Sequence, residues 1–291
     1  MTMKMTILGA GFSGQAIARA CAPHFASVDG TTRSAENFAS LKSAGIRPLL
    51  FDGTAFSDEL RASLLETTHL VQSISPDAQG DRFLRLLPSL KAAMPKLAWA
   101  GYLSTIGVYG DHQGAWVDET AAPTPKSSRS RERVLAEEQW LAAGQSEAVP
   151  VAILRLSGIY GPGRNPFLNL ENGTARRLIK KDQVFNRIRV EDIGRATAFL
   201  IERGMGGIFN ITDDLPCPTQ DVVEYAARLM GVPVPPDVDY ETAELSPMQR
   251  SFYGENKRVS NARIRQIGFE FLYPDYRKAL EDMWHNASWR G

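Results

Sequence analysis

Apolar and polar positions alternate in blocks from the start of the chain. A short apolar run, Lys4 to Leu8, is followed at once by Gly9-Ala10-Gly11-Phe12-Ser13-Gly14 and then by a stretch with helical spacing, Gln15 to Ala22. A run of this length bounded by glycine reads as a buried strand, and the change to a 3.6-residue period marks a helix. The block then repeats, predicting a strand near Ser27–Thr32, a helix around Ala35–Ala44 and a strand Arg47–Phe51 that ends in Asp52-Gly53. His69–Ile74, Leu97–Ser104 and Val151–Leu156 fit further buried strands, with helices expected over Asp58–Glu66, Arg82–Ala93 and Arg131–Ala143. Strands that alternate with helices in this way form a parallel sheet joined by crossover helices, so the expected fold class is α/β, a doubly wound parallel sheet.

On this reading residues 1–160 make one doubly wound domain. Past Tyr160 the texture changes to Gly161-Pro162-Gly163-Arg164-Asn165-Pro166 and later Pro233-Val234-Pro235-Pro236, which predicts a smaller, loop-rich substrate region over residues 161–291. A strand near Ile208–Thr212 is expected to return to the sheet. Composition narrows the function classes. With 33 Lys+Arg against 33 Asp+Glu the formal charge is zero, which gives no long-range pull toward nucleic acid or an anionic membrane surface. No apolar run approaches the roughly 18 to 20 residues needed to span a bilayer, and no leader-like apolar segment opens the chain, so a cytoplasmic location is expected. The two cysteines, Cys21 and Cys217, lack metal-ligand or redox-motif spacing and read as buried reduced thiols.

The first glycine cluster carries the cofactor expectation. In a G-x-G-x-x-G that follows a strand and opens a helix, Gly9 makes the tight turn, Gly11 lets the backbone approach a pyrophosphate and Gly14 permits close helix packing, with Phe12 and Ser13 in the same turn. A tight turn without a ligand is the plainer alternative. An NAD-type site places a carboxylate at the end of the second strand to bind the ribose hydroxyls. Here that end reads Thr31-Thr32-Arg33-Ser34, and Asp29 falls too early and alternates away. A cation flanked by hydroxyls suits a 2′-phosphate, so Thr32, Arg33 and Ser34 point to NADP over NAD, the alternative being a solvated surface arginine. Asp52 and Ser73, at the ends of the third and fourth strands, complete the expected cofactor contacts.

Several stretches together resemble the extended short-chain dehydrogenase/reductase superfamily of the NAD-dependent epimerase/dehydratase type. They are Gly9 to Gly14, Leu103-Ser104-Thr105-Ile106-Gly107-Val108-Tyr109-Gly110, Val117-Asp118-Glu119-Thr120, Leu154 to Gly163, and Ile188-Arg189-Val190-Glu191-Asp192-Ile193-Gly194-Arg195-Ala196. The resemblance implies an NAD(P)-binding Rossmann fold and a small-molecule substrate. It also implies that Ser104 or Thr105 hydrogen-bonds the reacting oxygen, and that a Tyr and a Lys four residues later lie on the next helix. Aligned on Pro123 and on Ala136-Glu137, those two positions hold Arg129 and Arg133, so the chain resembles an atypical member without the Tyr-x-x-x-Lys pair. An arginine stays protonated and cannot replace a tyrosine as acid/base at neutral pH. Tyr109 is the first substitute, beside Tyr102 and Tyr160, although a packing role for an aromatic here is the simpler reading. Arg133 is expected at the cofactor ribose, while Arg129 and Tyr160 are assigned to the substrate, which Arg129 makes anionic; a solvated basic helix start with no ligand is the alternative. His112 lies in the loop after the fifth strand. Glu191 and Asp192 are expected to cap the helix Ile193–Ile201. No metal-ligand spacing and no G-x-S-x-G elbow occurs. Two functions stay open: an NADP-dependent oxidoreductase or epimerase with non-standard catalytic groups acting on a small polar or anionic substrate, and a non-catalytic NADP-binding redox sensor or partner-binding module.

Overall fold

The strands Lys4–Leu8 (β1), Ser27–Thr32 (β2), Arg47–Leu50 (β3), His69–Gln72 (β4), Trp99–Thr105 (β5), Val151–Leu156 (β6) and Gly207–Ile211 (β7) form one sheet in the spatial order β7-β6-β5-β4-β1-β2-β3. The computed structural model describes residues 3–291. Pairing from β3 across to β6 is parallel throughout. β4 and β6 are buried along their whole length, as strands covered by helices on both faces must be. Strand order reverses between β1 and β4, which opens the crevice where doubly wound sheets bind ligands, beyond the strands' C-terminal ends. The fold is of the Rossmann type.

Local chemistry sets the connecting helices. Helix Asp58–Glu66 (α3 in a series with Phe12–Cys21 as α1 and Phe38–Ser43 as α2) starts where the Ser57 side chain accepts from Leu60 N, with Asp58 and Glu59 in its first turn. The expected helix Arg82–Ala93 does not form as one piece. Pro88 drives Leu87 into extended backbone (ψ 141°), leaving a tight 3-10 turn at Leu84–Leu86 and a single helical turn, Leu90–Ala93 (α4). Conversely, Ser128–Glu147 (α5) begins three residues earlier than expected, because Ser127 caps it by accepting from Ser130 N. The helix Val190–Glu202 likewise begins before Ile193, and Asp192 does not cap it. Fully buried, Asp192 instead accepts from Leu272 N and Tyr273 N, both at 2.9 Å, while Glu191 pairs with Arg189.

Two compact units interleave along the chain. The first comprises residues 1–108, 125–156 and 193–209; the second comprises 109–124, 157–192 and 210–291. In the first, Leu8, Leu64, Phe83, Tyr102, Trp140 and Ile153 belong to one apolar cluster. In the second, Tyr160, Phe167, Val222, Tyr276 and Trp289 pack together with the helices Thr219–Met230 and Tyr276–His285. Cys21 and Cys217 are buried free thiols, and burial raises both pKa values, to about 12 and about 11.

Asp29, in β2, is fully buried. Its carboxylate takes Arg47 of β3 through two bonds (2.8 and 2.5 Å), the Ser63 hydroxyl of α3 at 2.5 Å and Lys4 of β1 at 2.9 Å. Burial by itself would raise its pKa. The bonds from Arg47, Ser63 and Lys4 outweigh that effect and hold it at about 2, against an ordinary 3.8. A depressed carboxylate pKa adds stability that is fully present above the unfolded value and is lost as pH falls through the folded one. Denaturant unfolding of the wild type is therefore expected to show stability falling between about pH 4 and pH 2. In Asp29→Asn that limb should flatten, with about 2 kcal/mol lost at neutral pH. An unchanged acid limb in the variant would show that Asp29 does not carry this linkage.

Candidate functional site

A cleft of about 760 Å³ lies over the C-terminal ends of β1 to β4, a volume within the range of nucleotide-sized pockets. Its β1 wall is the glycine turn. Gly9 sits at φ +79°, where a Cβ would come within 3.0 Å of Ile74 Cγ1 and 3.2 Å of Ile74 N, so both the turn and the crowding require glycine there. The turn is strapped to β2: Gly9 N donates to Thr31 Oγ1 and Ala10 N to Thr31 O, each at 2.8 Å. A Cβ on Gly14 would lie 3.1 Å from Ile7 Cγ2, so this glycine sets the close approach of α1 to β1.

Gly11 differs from both. Its φ is −82°, open to any residue, and a Cβ there would meet nothing within 4 Å. Neither backbone nor packing asks for glycine, which leaves the space itself as the reason. Gly11 is also the N-cap of α1, whose first turn has no side-chain cap and no acidic residue. An open cradle at an uncapped helix N-terminus fits a pyrophosphate, because free N–H groups and the helix dipole both favour an anion there.

The β2 wall brings Thr32, Arg33 and Ser34 together. Thr32 Oγ1 accepts from Asn37 Nδ2 at 3.0 Å, and Ser34 caps the following turn by accepting from Glu36 N. Arg33 is exposed on the cleft wall with no partner among the described residues. The β3 end adds Phe51 and Asp52, whose carboxylate accepts from the Thr54 hydroxyl and amide, which lowers its pKa. Ile74, Ser75 and Pro76 close the β4 side. Ser73 is not on the wall; its N–H donates to Leu8 O and holds β4 to β1. Phe12, Ser13 and Gly14 do not line it either, while Gln15, Asn37, Ser75 and Arg82 join it without any warning from local spacing.

Ser104, Thr105 and Tyr109 are not among the residues that line this cleft. In the first unit, buried Ser104 donates to Glu137 Oε1, and Glu137 is in turn gripped by Arg155, whose Nη2 is 2.6 Å from Oε2. That hydroxyl is occupied within the core. Thr105, at the strand end, is partly exposed and accepts from Gly107 N at 3.1 Å, so its own hydrogen is available. Arg133 of α5 donates to Leu103 O at 2.6 Å, lies over the Tyr102 ring, and extends Nη2 to 3.4 Å from Ser75 Oγ on the cleft wall. Arg129, one turn earlier, is exposed. Tyr102 is buried, and burial pushes its phenol well above the usual range. In the second unit, Tyr109 is fully buried with its hydroxyl donating to Asn210 Oδ1 at 2.8 Å. Tyr160 is buried with no partner for its hydroxyl among the described residues, and burial drives its pKa well up. His112 Nε2 lies 3.0 Å from the Tyr109 carbonyl. Glu137, which the alignment used only as a landmark, and Asn210, which no motif marks, thus hold the Ser104 and Tyr109 hydroxyls. Among the described residues no group of His, Cys, Asp and Glu could hold a metal ion, and no helix is long and apolar enough to cross a membrane.

No family model matches the chain. Among curated proteins it is 28% identical over 284 residues to Protein YeeZ of Escherichia coli strain K12, covering 94% of this chain and 97% of that one. Among solved structures, a conserved protein of unknown function from Silicibacter pomeroyi DSS superposes with a TM-score of 0.88 at 44% identity, over 98% of this chain and 99% of that one. A provisionally assigned NAD-dependent epimerase/dehydratase from Methylobacillus flagellatus matches at 0.75 and 27% identity, over 99% of each chain. The dTDP-glucose 4,6-dehydratase of Bacillus anthracis str. Ames, solved in complex with NAD, reaches 0.75 at 17% identity over 98% of this chain and 97% of that one, a likeness of fold alone. The chain therefore belongs to the same family as the Silicibacter pomeroyi protein and carries the fold seen in the NAD-dependent epimerase/dehydratase-type structures.

Proposed function

We propose that this protein binds NADP in preference to NAD and acts as an oxidoreductase or epimerase-like enzyme on a small polar or anionic substrate, with non-standard catalytic groups. One observation carries the cofactor reading: at the cleft end of β2 a guanidinium without a partner among the described residues, Arg33, stands where a carboxylate would hold the ribose diol of NAD. The only acid of that strand, Asp29, is consumed by Arg47, Lys4 and Ser63. A 2′-phosphate gains a charge-assisted bond from Arg33 that a diol cannot. The Gly11 cradle supports a pyrophosphate next to it. When bound, the nicotinamide accepts or gives hydride. Thr105 offers a hydroxyl to a reacting oxygen, Arg133 a cation beside the cofactor ribose, and Arg129 an exposed cation for an anionic substrate group.

A second reading, a non-catalytic NADP-binding sensor, is favoured by a separate observation. The hydroxyls of Tyr109 and Ser104 are tied to Asn210 and Glu137, and the sequence resemblance puts Arg129 and Arg133 where a Tyr and a Lys are usual. Substrate-dependent NADPH oxidation across a panel of small carbonyl compounds separates the two readings, since a sensor binds the dinucleotide without turnover.

Calorimetric titration is expected to give tighter binding of NADP than of NAD by about 10- to 150-fold, the worth of one charge-assisted bond. In Arg33→Ala that preference should disappear; equal affinities in the wild type, or a preference that survives the substitution, would remove the assignment. Gly11→Val should abolish binding of both dinucleotides while shifting the denaturation midpoint little, because the added side chain enters empty space in the free protein and the pyrophosphate position in the complex. A folded variant that keeps its affinity would reduce the motif to a plain turn.

A further inference from the structure

Arg82 reaches the same cleft from the segment after β4, by a route that no motif marks. Its stem lies across the end of β3: a Cβ on Gly53 (φ +91°) would be 3.5 Å from Arg82 Cδ. Its Nε sits 3.3 Å from Asp77 Oδ2, an ion-pair contact without hydrogen-bond geometry. Asp77 is itself fixed by Arg85 through two bonds of 2.7 and 2.8 Å, and those bonds hold its carboxyl down at about 2. One edge of the Arg82 guanidinium is thus anchored, while Nη1 and Nη2 have no partner among the described residues.

What this group faces follows from its neighbours. Asp52, next to Gly53 on the same strand end, keeps an ionised carboxylate on the cleft wall, and Phe51 and Ile74 add apolar surface. A phosphate placed here would meet the Asp52 charge. An aminopurine suits all three features, because its exocyclic amine donates to a carboxylate, one ring face packs on apolar side chains and the other attracts a planar cation.

Building on the dinucleotide reading, we infer that Arg82 lays its guanidinium plane on the face of the adenine ring, so that one arginine selects the base and Arg33 selects the phosphate on its ribose. The two roles predict different dependences on the ligand. Calorimetry on the intact protein with NADP, NAD and nicotinamide mononucleotide should show Arg82→Ala weakening NADP and NAD alike, by about 3- to 30-fold, with their ratio unchanged and the mononucleotide unaffected. Arg82→Lys keeps the charge near Asp77 but lacks the plane, and it should lose nearly as much affinity. A loss confined to NADP would make Arg82 a phosphate ligand and overturn the inference. So would unchanged affinities in Arg82→Ala, or full recovery in Arg82→Lys. A wild type that binds neither dinucleotide would remove the cofactor reading itself and this inference with it, an outcome distinct from a binding wild type with an indifferent Arg82.

Discussion

The first unit is organised around a carboxylate that water cannot reach. Asp29 draws a lysine from β1, an arginine from β3 and a hydroxyl from α3 onto one point of β2, so three adjacent strands and a helix are registered by a single charged group. Removing an ion from water is costly, and such a cluster is stabilising only when every oxygen is matched, as it is here. The geometry has a second effect. The glycine turn hangs from Thr31, two residues beyond Asp29, and Arg33 lies two further on. Locking β2 at Asp29 therefore sets the height of both ends of the cleft wall, and it removes from that wall the one carboxylate the strand could have offered.

A comparable arrangement anchors α5. Glu137 joins Ser104 of β5 to Arg155 of β6 in a buried polar network, which fixes the long helix against the sheet without a wide apolar stripe. The cost is chemical: a serine that hydrogen-bonds a buried glutamate has no spare donor. The neighbouring Thr105, at the strand's end, keeps one. Adjacent hydroxyls on one strand thus differ in availability because successive side chains point to opposite faces.

Most of the sheet could be read from the chain because its strands are short segments, most of them apolar, that alternate with stretches of helical spacing, and burial makes that pattern plain. Ser27–Thr32, Asp58–Glu66 and Val151–Leu156 form over the expected residues. The Arg82–Ala93 segment was misread because its apolar spacing suits a helix, whereas Pro88 decides the backbone. That break leaves Arg82 outside any helix, in a loop that can present it to the cleft. Gly9 and Gly14 were legible from spacing, since turn and packing are local demands. Gln15, Asn37 and Arg82 were not, because their place on the wall depends on which strand ends the fold sets side by side. The tie between Tyr109 and Asn210 spans about a hundred positions, beyond the reach of any periodicity.

The interleaving of the units bears on how the chain is made. Neither unit is a continuous stretch, and the first draws on residues as late as 209. A polypeptide emerging from its N-terminus can pair β1 with β2 early, but β1 must then wait for β4, and the sheet gains its outer strand β7 only after two-thirds of the chain exists. Contacts so distant in sequence impose a large loop-closure cost before they return any stabilisation, which slows folding and prolongs the life of half-built, edge-exposed intermediates. A nascent chain released near residue 160 would hold most of the cleft's wall while lacking β7 and the helix Val190–Glu202, so completion of the fold is a late event in synthesis.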